Sequence, residues 1–346
     1  VLRRMPKVEL HRHLDGSVRP ETIRDIARRH ALELGAASLE EVRARATISA
    51  PMRDLEAVLE RFAVTQSVLC SYEAIERVAF ENVEDTFHDG VCLAELRFAP
   101  AFIAAGKELG FDEIVEAVID GTRRGMAVYP LEVGLIGILP RRIPLETNRA
   151  ATETLLRYAT GGHPGGERIC GFDLADGEDT TRPEDFVPLV DQARAAGLGI
   201  TIHSGEDTSA QAVERTLELF HPRRIGHGIR VWGRPETVER VRRLGTHLEI
   251  CPTSNWLTRS VPSLEEHPLP HLVRAGIELS INSDDPRLFG IDLVHEYRLA
   301  VDLFGLSLEE LLHLNRRAVA CSFLPQDIRS QVVTRYYPAA DTVGEE

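Results

Sequence analysis

His11 and His13 close the apolar run Val8–His13, His203 closes Leu198–His203, and Asp284 lies just beyond Ile277–Asn282. Residues two apart on an extended strand share a face, so the two imidazoles of the His-x-His pair can address one point. Three imidazoles and a carboxylate can hold a divalent zinc ion and leave room for water. A lone His-x-His is weak evidence, because paired histidines at a sheet end are also satisfied by ordinary hydrogen bonds. His203 and Asp284 strengthen it, since each sits at the carboxyl end of its own apolar run.

Three further residues extend the chemistry toward hydrolysis. Glu206 follows His203 in His203-Ser204-Gly205-Glu206, and Gly205 permits a tight loop that turns the carboxylate back over the site. A carboxylic acid there can donate a proton to a leaving heteroatom or a ring nitrogen; the plainer alternative is charge complementarity with the next helix. His227 stands between Gly226 and Gly228, a crowding that suggests close approach to a ligand or ion. It is positioned to orient an attacking water and stabilise developing negative charge, although an isolated histidine is more often structural. Asp284 and Asp285 are adjacent, so their side chains diverge. One can meet a metal while the other meets a substrate, or both can belong to an Asx turn before Pro286.

These residues need a scaffold that gathers strand ends. Eight runs read as strands: Val8–His13, Val91–Pro100, Leu131–Leu139, Ile169–Ala175, Leu198–His203, Arg224–Gly228, His247–Cys251 and Ile277–Asn282. Short, branched, apolar runs of this kind suit buried parallel strands. Eight of them close a (β/α)8 TIM barrel of the α/β class, whose chemistry collects at the carboxyl-end rim; an open doubly wound sheet is the alternative. Helical spacing of apolar residues recurs between the runs, over Asp112–Arg124, Thr147–Tyr158, Pro183–Ala196, Ser209–Phe220 and Pro235–Leu244. Residues 16–90 exceed a single crossover and read as several helices, Glu21–His30, Leu39–Arg45, Met52–Phe62 and Glu73–His88, forming a lid over the rim. Asp292–Leu303, Leu308–Ser322 and Gln326–Tyr336 add C-terminal helices within 292–346. No linker or repeat interrupts the chain, so one catalytic domain, 1–346, is expected.

Composition narrows the partners. Forty Lys plus Arg against 54 Asp plus Glu give a net charge of -14, a field that discourages nucleic acid and anionic membrane. A small neutral or cationic substrate fits better. The five scattered cysteines show no paired spacing, and no apolar stretch approaches the ~20 residues of a membrane span. A cytoplasmic setting follows as the expectation.

The ordered motifs resemble the adenosine deaminase family of the amidohydrolase superfamily. They run from Pro6-Lys7-Val8-Glu9-Leu10-His11-Arg12-His13-Leu14-Asp15-Gly16-Ser17 through Ala94–Pro100 and His203–Glu206 to Arg224–Gly228, Glu249–Asn255 and Ser280–Pro286. The resemblance implies one zinc per subunit on His11, His13, His203 and Asp284. It further implies that Glu206 protonates purine N1, that His227 and Asp284 position and activate the attacking water, and that Asp285 holds N7. The product would be a 6-oxopurine and ammonia.

The resemblance also addresses the substrate. Asp15 matches an aspartate near the ribose 5′-oxygen in the adenosine-directed branch, where free-adenine deaminases carry glutamate. It implies adenosine or 2′-deoxyadenosine as the 6-aminopurine nucleoside, with aminodeoxyfutalosine as the runner-up and adenine deaminase or an inactive purine-binding protein as further alternatives. Asp176 stands where the family has a glycine whose amide holds purine N3, and Gly177 is expected to take that role through a shifted turn. Ser204 replaces a more usual alanine. Leu55, Leu59 and Phe62 are the nearest counterparts of an apolar gate, Trp256 is an aromatic platform or an ordinary anchor, and Arg12, Arg19 or a lid arginine would receive an acidic extension.

Overall fold

The computed structural model describes residues 1–338. Its centre is one eight-stranded parallel sheet in chain order: β1 (Lys7–His13), β2 (Val91–Phe98), β3 (Glu132–Pro140), β4 (Ile169–Ala175), β5 (Gly199–Ser204), β6 (Arg224–His227), β7 (His247–Ile250) and β8 (Leu279–Ile281). The sheet closes on itself across an unusual seam. β8 is only three residues long, and the joint to β1 is made by Asp284. The His13 amide donates to the Asp284 carbonyl at 2.8 Å, and the Asp284 amide donates to the His11 carbonyl at 3.1 Å. The Asn282 side chain completes it, accepting from the Leu10 amide at 2.8 Å. The barrel is therefore shut by the same segment that carries the candidate carboxylate ligand.

Helices surround it. α1 (Pro20–Arg29), α2 (Leu39–Ala46), α3 (Leu55–Val68) and α4 (Tyr72–His88) occupy the long insertion after β1. α5 (Pro100–Ala104) and α6 (Phe111–Val128) follow β2, and α7 (Leu145–Thr160) follows β3. α8 (Val187–Ala195), α9 (Ala210–Phe220) and α10 (Pro235–Leu244) separate β4 to β7. α11 (Pro252–Leu257) and α12 (Leu269–Arg274) precede β8, and α13 (Leu293–Asp302), α14 (Leu308–Cys321) and α15 (Gln326–Tyr336) follow it. Residues 339–346 of the expected C-terminal segment lie outside the described residues.

Local chemistry explains where the expected boundaries moved. The helix expected from Met52 begins at Leu55, because the Asp54 carboxylate accepts the Ala57 amide at 2.9 Å and caps it there. The helix expected over Pro183–Ala196 is a short 3-10 turn, Pro183–Phe186, then α8; Pro188 lacks an N–H and is tolerated only in a first turn. β2 stops at Phe98 because Pro100 opens α5. The short helices α5, α11 and α12 are too brief to show a period in the sequence. No helix among the described residues is long and apolar enough to cross a membrane.

Candidate active site

At the carboxyl-end rim, β1 supplies His11 and His13, β5 supplies His203, β6 ends on His227, and the turn after β8 supplies Asp284 and Asp285. Three of these strand ends adopt costly backbone. His227, Asp284 and Asp176 have φ of 58°, 61° and 79°, a left-handed region that costs a non-glycine residue about 1–3 kcal/mol. Two glycines make room for the cluster. A Cβ at Gly226 would lie 3.1 Å from His11 Cε1 and 3.2 Å from His203 Cγ, and one at Gly16 would fall 1.7 Å from Asp285 Oδ1.

The donor atoms converge. His11 Nε2 and His13 Nε2 are 3.3 Å apart, and each is close to Asp284 Oδ1, at 3.2 and 3.3 Å. Those separations match the roughly 3.3 Å edge of a tetrahedron with zinc–ligand bonds of about 2.0–2.1 Å. His11, His203 and His227 also offer ring nitrogens within 4.8 Å of one another, as do His11, Cys251 and Asp284 with their donor atoms. Cys251 is the poorer ligand: burial pushes its thiol well up, and it donates to the Glu249 carbonyl at 3.5 Å.

Hydrogen bonds aim the imidazoles. His11 Nδ1 donates to Glu249 Oε2 at 2.8 Å, and His203 Nδ1 lies 3.0 and 2.9 Å from the two oxygens of Asp173. Both rings therefore turn their Nε2 lone pairs inward, the orientation that carboxylate partners give to metal-binding histidines. Burial holds His13 and His203 below the usual imidazole range, which favours the neutral form a cation requires. Burial opposes ionisation of Asp284, but His11 beside it outweighs that and holds its carboxyl well down. The donor set fits zinc.

A cavity of about 270 Å³ opens above this cluster. Glu206 faces it with Oε2 3.5 Å from His227 Nε2, which is itself 3.8 Å from Asp284 Oδ2. Burial, followed by the charges of Asp284, Asp207 and Glu178, pushes the Glu206 carboxyl well up. Asp285 is raised in the same way, by burial and then by Asp284. Asp15, Asp176 and the side chains of Leu55, Leu59 and Phe62 also line the cavity.

The sequence of residues 6–338 matches the family model described as adenosine deaminase. An adenosine deaminase of Edwardsiella ictaluri is 37% identical over 93% of this chain and 94% of its own, and one of Shewanella loihica is 36% identical over 94% and 96%. The chain belongs to the adenosine deaminase family. Among solved structures, the adenine deaminase of Arthrobacter aurescens aligns with TM-score 0.83 at 26% identity, over 95% of this chain and 97% of its own. The Arabidopsis N6-mAMP deaminase aligns with TM-score 0.84 at 27% identity, over 98% and 99%. Membership of this family carries the fold of a (β/α)8 amidohydrolase barrel and a purine-deaminase type of C–N bond hydrolysis.

Several residues stand elsewhere than the family resemblance implied. Gly177 does not line the cavity; its amide is taken by Asp176 Oδ1 at 2.7 Å, and it faces a neighbouring groove. The shifted turn fails because the Asp176 side chain folds onto that amide first. Arg12 is buried away from the site against Glu9 and Asp89, and Arg19 is paired with Glu84 and Asp85. Trp256 packs beside the cluster of Phe62, Leu257 and Phe289 and does not line the cavity, so it is an anchor.

The sequence reading missed the supports of the site. Asp173 and Glu249 are joined by Arg97 at 2.7 and 2.8 Å, and Glu249 and Glu95 by Arg224 at 2.6 and 2.5 Å. All five side chains are fully buried inside the barrel. The available signal was a charge at alternate positions of an apolar strand, as in Ala94-Glu95-Leu96-Arg97. Glu178 clamps the loop that carries Glu206, accepting the Gly205 amide at 2.7 Å and the Glu206 amide at 2.8 Å. Gln66 of α3 donates to Asp15 Oδ2 at 2.6 Å; it continues the stripe of Leu55, Leu59 and Phe62 at helical spacing.

Proposed function

We propose that the chain hydrolyses adenosine and 2′-deoxyadenosine to inosine and 2′-deoxyinosine with release of ammonia, using one zinc per subunit on His11, His13, His203 and Asp284. Zinc supplies Lewis-acid chemistry at such a site and lets water lose a proton near neutral pH. The chain supplies the rest. Purine N7 is only an acceptor, and so is N1. Burial and the neighbouring carboxylates push Asp285 and Glu206 up, which favours the protonated forms that can donate to them. Protonation of N1 by Glu206 makes C6 more electrophilic. Asp284 Oδ2 and His227 Nε2 flank the point of attack and orient the water. Asp15 Oδ1 has no partner among the described residues and would serve as an acceptor for a ribose hydroxyl. Asp176, at the cavity wall, would present its backbone amide to N3, its carboxylate being turned to Gly177 and Arg142.

The observation that carries this reading is the grouping of Glu206, His227 and Asp284 in one cavity with Asp15. One feature bears on a larger substrate: a groove beside the cavity carries Arg53, Arg142, Arg230 and Arg259, which would meet the carboxylate of aminodeoxyfutalosine, but also Asp54, Glu56, Glu178, Asp179 and Asp207, which would repel it. Arg142 is, moreover, already paired with Glu56 and Asp176.

A substrate panel decides between them, comparing adenosine, 2′-deoxyadenosine, adenine, N6-methyl-AMP and aminodeoxyfutalosine by ammonia release. Adenosine or its deoxy form should give the highest kcat/KM. Preference for aminodeoxyfutalosine by ~100-fold, about 2.7 kcal/mol in transition-state terms, would overturn the assignment. Purine binding without turnover after zinc reconstitution would point to the inactive binding protein. Glu206→Gln keeps size but loses the titratable proton, and should cost about 10²–10⁴ in kcat with zinc content retained.

A further inference from the structure

A chain of three buried hydrogen bonds runs from a helix end to the catalytic histidine. The Leu269 amide donates to His267 Nδ1 at 3.1 Å, His267 Nε2 is 3.2 Å from Asn255 Oδ1, and Asn255 Nδ2 is 3.1 Å from His227 Nδ1. Leu269 is the first residue of α12, where backbone amides have no partner within the helix. A backbone amide can only donate, and that fixes the direction of every later link. His267 Nδ1 must accept, so the proton of its neutral ring sits on Nε2. Nε2–H then donates to Asn255 Oδ1, which turns the amide nitrogen toward His227. His227 Nδ1 must accept in turn.

We propose that His267 and Asn255 are positioning residues that hold His227 in its Nε2–H tautomer, so that it acts as a hydrogen-bond donor to the oxygen of the attacking water rather than as the base. The proton of the water then goes to Asp284, whose Oδ2 lies 3.8 Å from the same ring nitrogen. His227 and His267 are each 1% exposed and Asn255 is 0% exposed, so the links are shielded from bulk solvent, and reversing one link means reversing all three. Burial alone holds His267 down at about 3, consistent with a neutral ring. The catalytic consequence rests on the deaminase reading, whereas the tautomer does not.

The test reads the ring directly. Two-bond 1H–15N spectra of [15N]histidine-labelled protein, recorded with and without zinc, report which nitrogen of His227 carries the proton; the signal is assigned by its loss in His227→Asn. The expected result is an unprotonated Nδ1 in both samples. His267→Leu removes the donor to Asn255 and frees its amide to turn. A mixed tautomer is expected, with kcat down roughly tenfold or more and KM little changed. His267→Gln can still donate to Asn255 and accept from Leu269, and should restore both the signature and most of kcat. A protonated Nδ1 in the wild-type chain would overturn the proposal. So would a His267→Leu variant with unchanged tautomer and kcat, or a His267→Gln variant as impaired as His267→Leu. Should His267→Leu fail to fold, the wild-type spectrum and His267→Gln decide. If no 6-aminopurine is turned over, the deaminase reading falls, while a correct tautomer with its shift in His267→Leu still supports the positioning chain.

Discussion

Beneath the histidines, Arg97 and Arg224 tie Asp173, Glu249 and Glu95 into one buried network. On the lid side, Gln66 meets Asp15 through a single side-chain hydrogen bond, and Asp15 Oδ1 and Gln66 Oε1 have no partner among the described residues. The floor is thus assembled by protein groups alone, and its carboxylates aim the imidazoles of the candidate metal site. The lid-side wall keeps acceptors in reserve. A buried polar group left unpaired costs about 1–3 kcal/mol; the floor carries one as well, Arg97 Nε, so the two regions differ chiefly in the size of the charged network around them. A TIM barrel interior is ordinarily filled by branched apolar side chains. Here part of that filling is replaced by charge, because two histidines need anionic partners from below.

The largest effect should come from breaking the floor. Arg97→Met would leave Asp173 and Glu249 buried with fewer counter-charges, and a loss of about 3–5 kcal/mol in urea unfolding is expected. A variant as stable as the parent would show that the network is not what holds the floor. Asp173→Asn should act more narrowly, on the orientation and basicity of His203. Zinc affinity, measured by competition with a chelator, should fall by roughly 10–100-fold, and unchanged affinity would detach this carboxylate from the metal site.

The lid-side wall should respond in binding rather than in stability. Gln66→Met removes the side-chain bond to Asp15, and KM for the nucleoside should rise roughly tenfold, about 1.4 kcal/mol, with kcat nearly constant. A fall in kcat with KM unchanged would instead move Gln66 into the chemical step.

The two kinds of carboxylate also differ in pH dependence. Burial opposes ionisation of Asp173 and Glu249, yet the cations around them hold both well below the usual range. The stability they contribute is present above their unfolded values and is lost only in strong acid, as pH falls through the folded values. Glu296 behaves in the opposite sense. It lacks a cation, accepts the Thr253 amide at 3.2 Å, and is pushed up by burial from 4.5 to about 8. The folded chain keeps a proton that the unfolded chain releases, so this group makes stability decline as pH rises from about 4.5 toward 8. Glu296→Gln should flatten that limb in a series of unfolding curves. A limb as steep as the parent's would mean that Glu296 is ionised in the folded chain.

Much of the rim was legible because strand ends announce themselves. His11, His13, His203, His227 and Asp284 each close a short apolar run, and closing eight such runs into a ring brings their ends together. The residues behind them were hidden by position. Asp173 and Glu249 sit inside apolar runs, where a local reading assigns packing, and only the closed barrel sets them against imidazoles from other strands. Gly177 misled for the opposite reason. A glycine beside a family motif suggested an available amide, but whether the neighbouring Asp176 carboxylate would occupy that amide depends on the turn it adopts.

What the amino-acid order determined by itself was the supply of chemistry: four imidazoles, paired aspartates and a glutamate at or just beyond the ends of short apolar runs whose pattern suits a closed parallel barrel. What only the folded chain decided was the state of those groups. Which imidazole nitrogen faces inward, which carboxyl keeps its proton and which acceptor waits unpaired all depend on partners dozens to hundreds of residues away. Hydrogen bonds and burial act over a few ångströms of space, and distance along the chain does not report that separation.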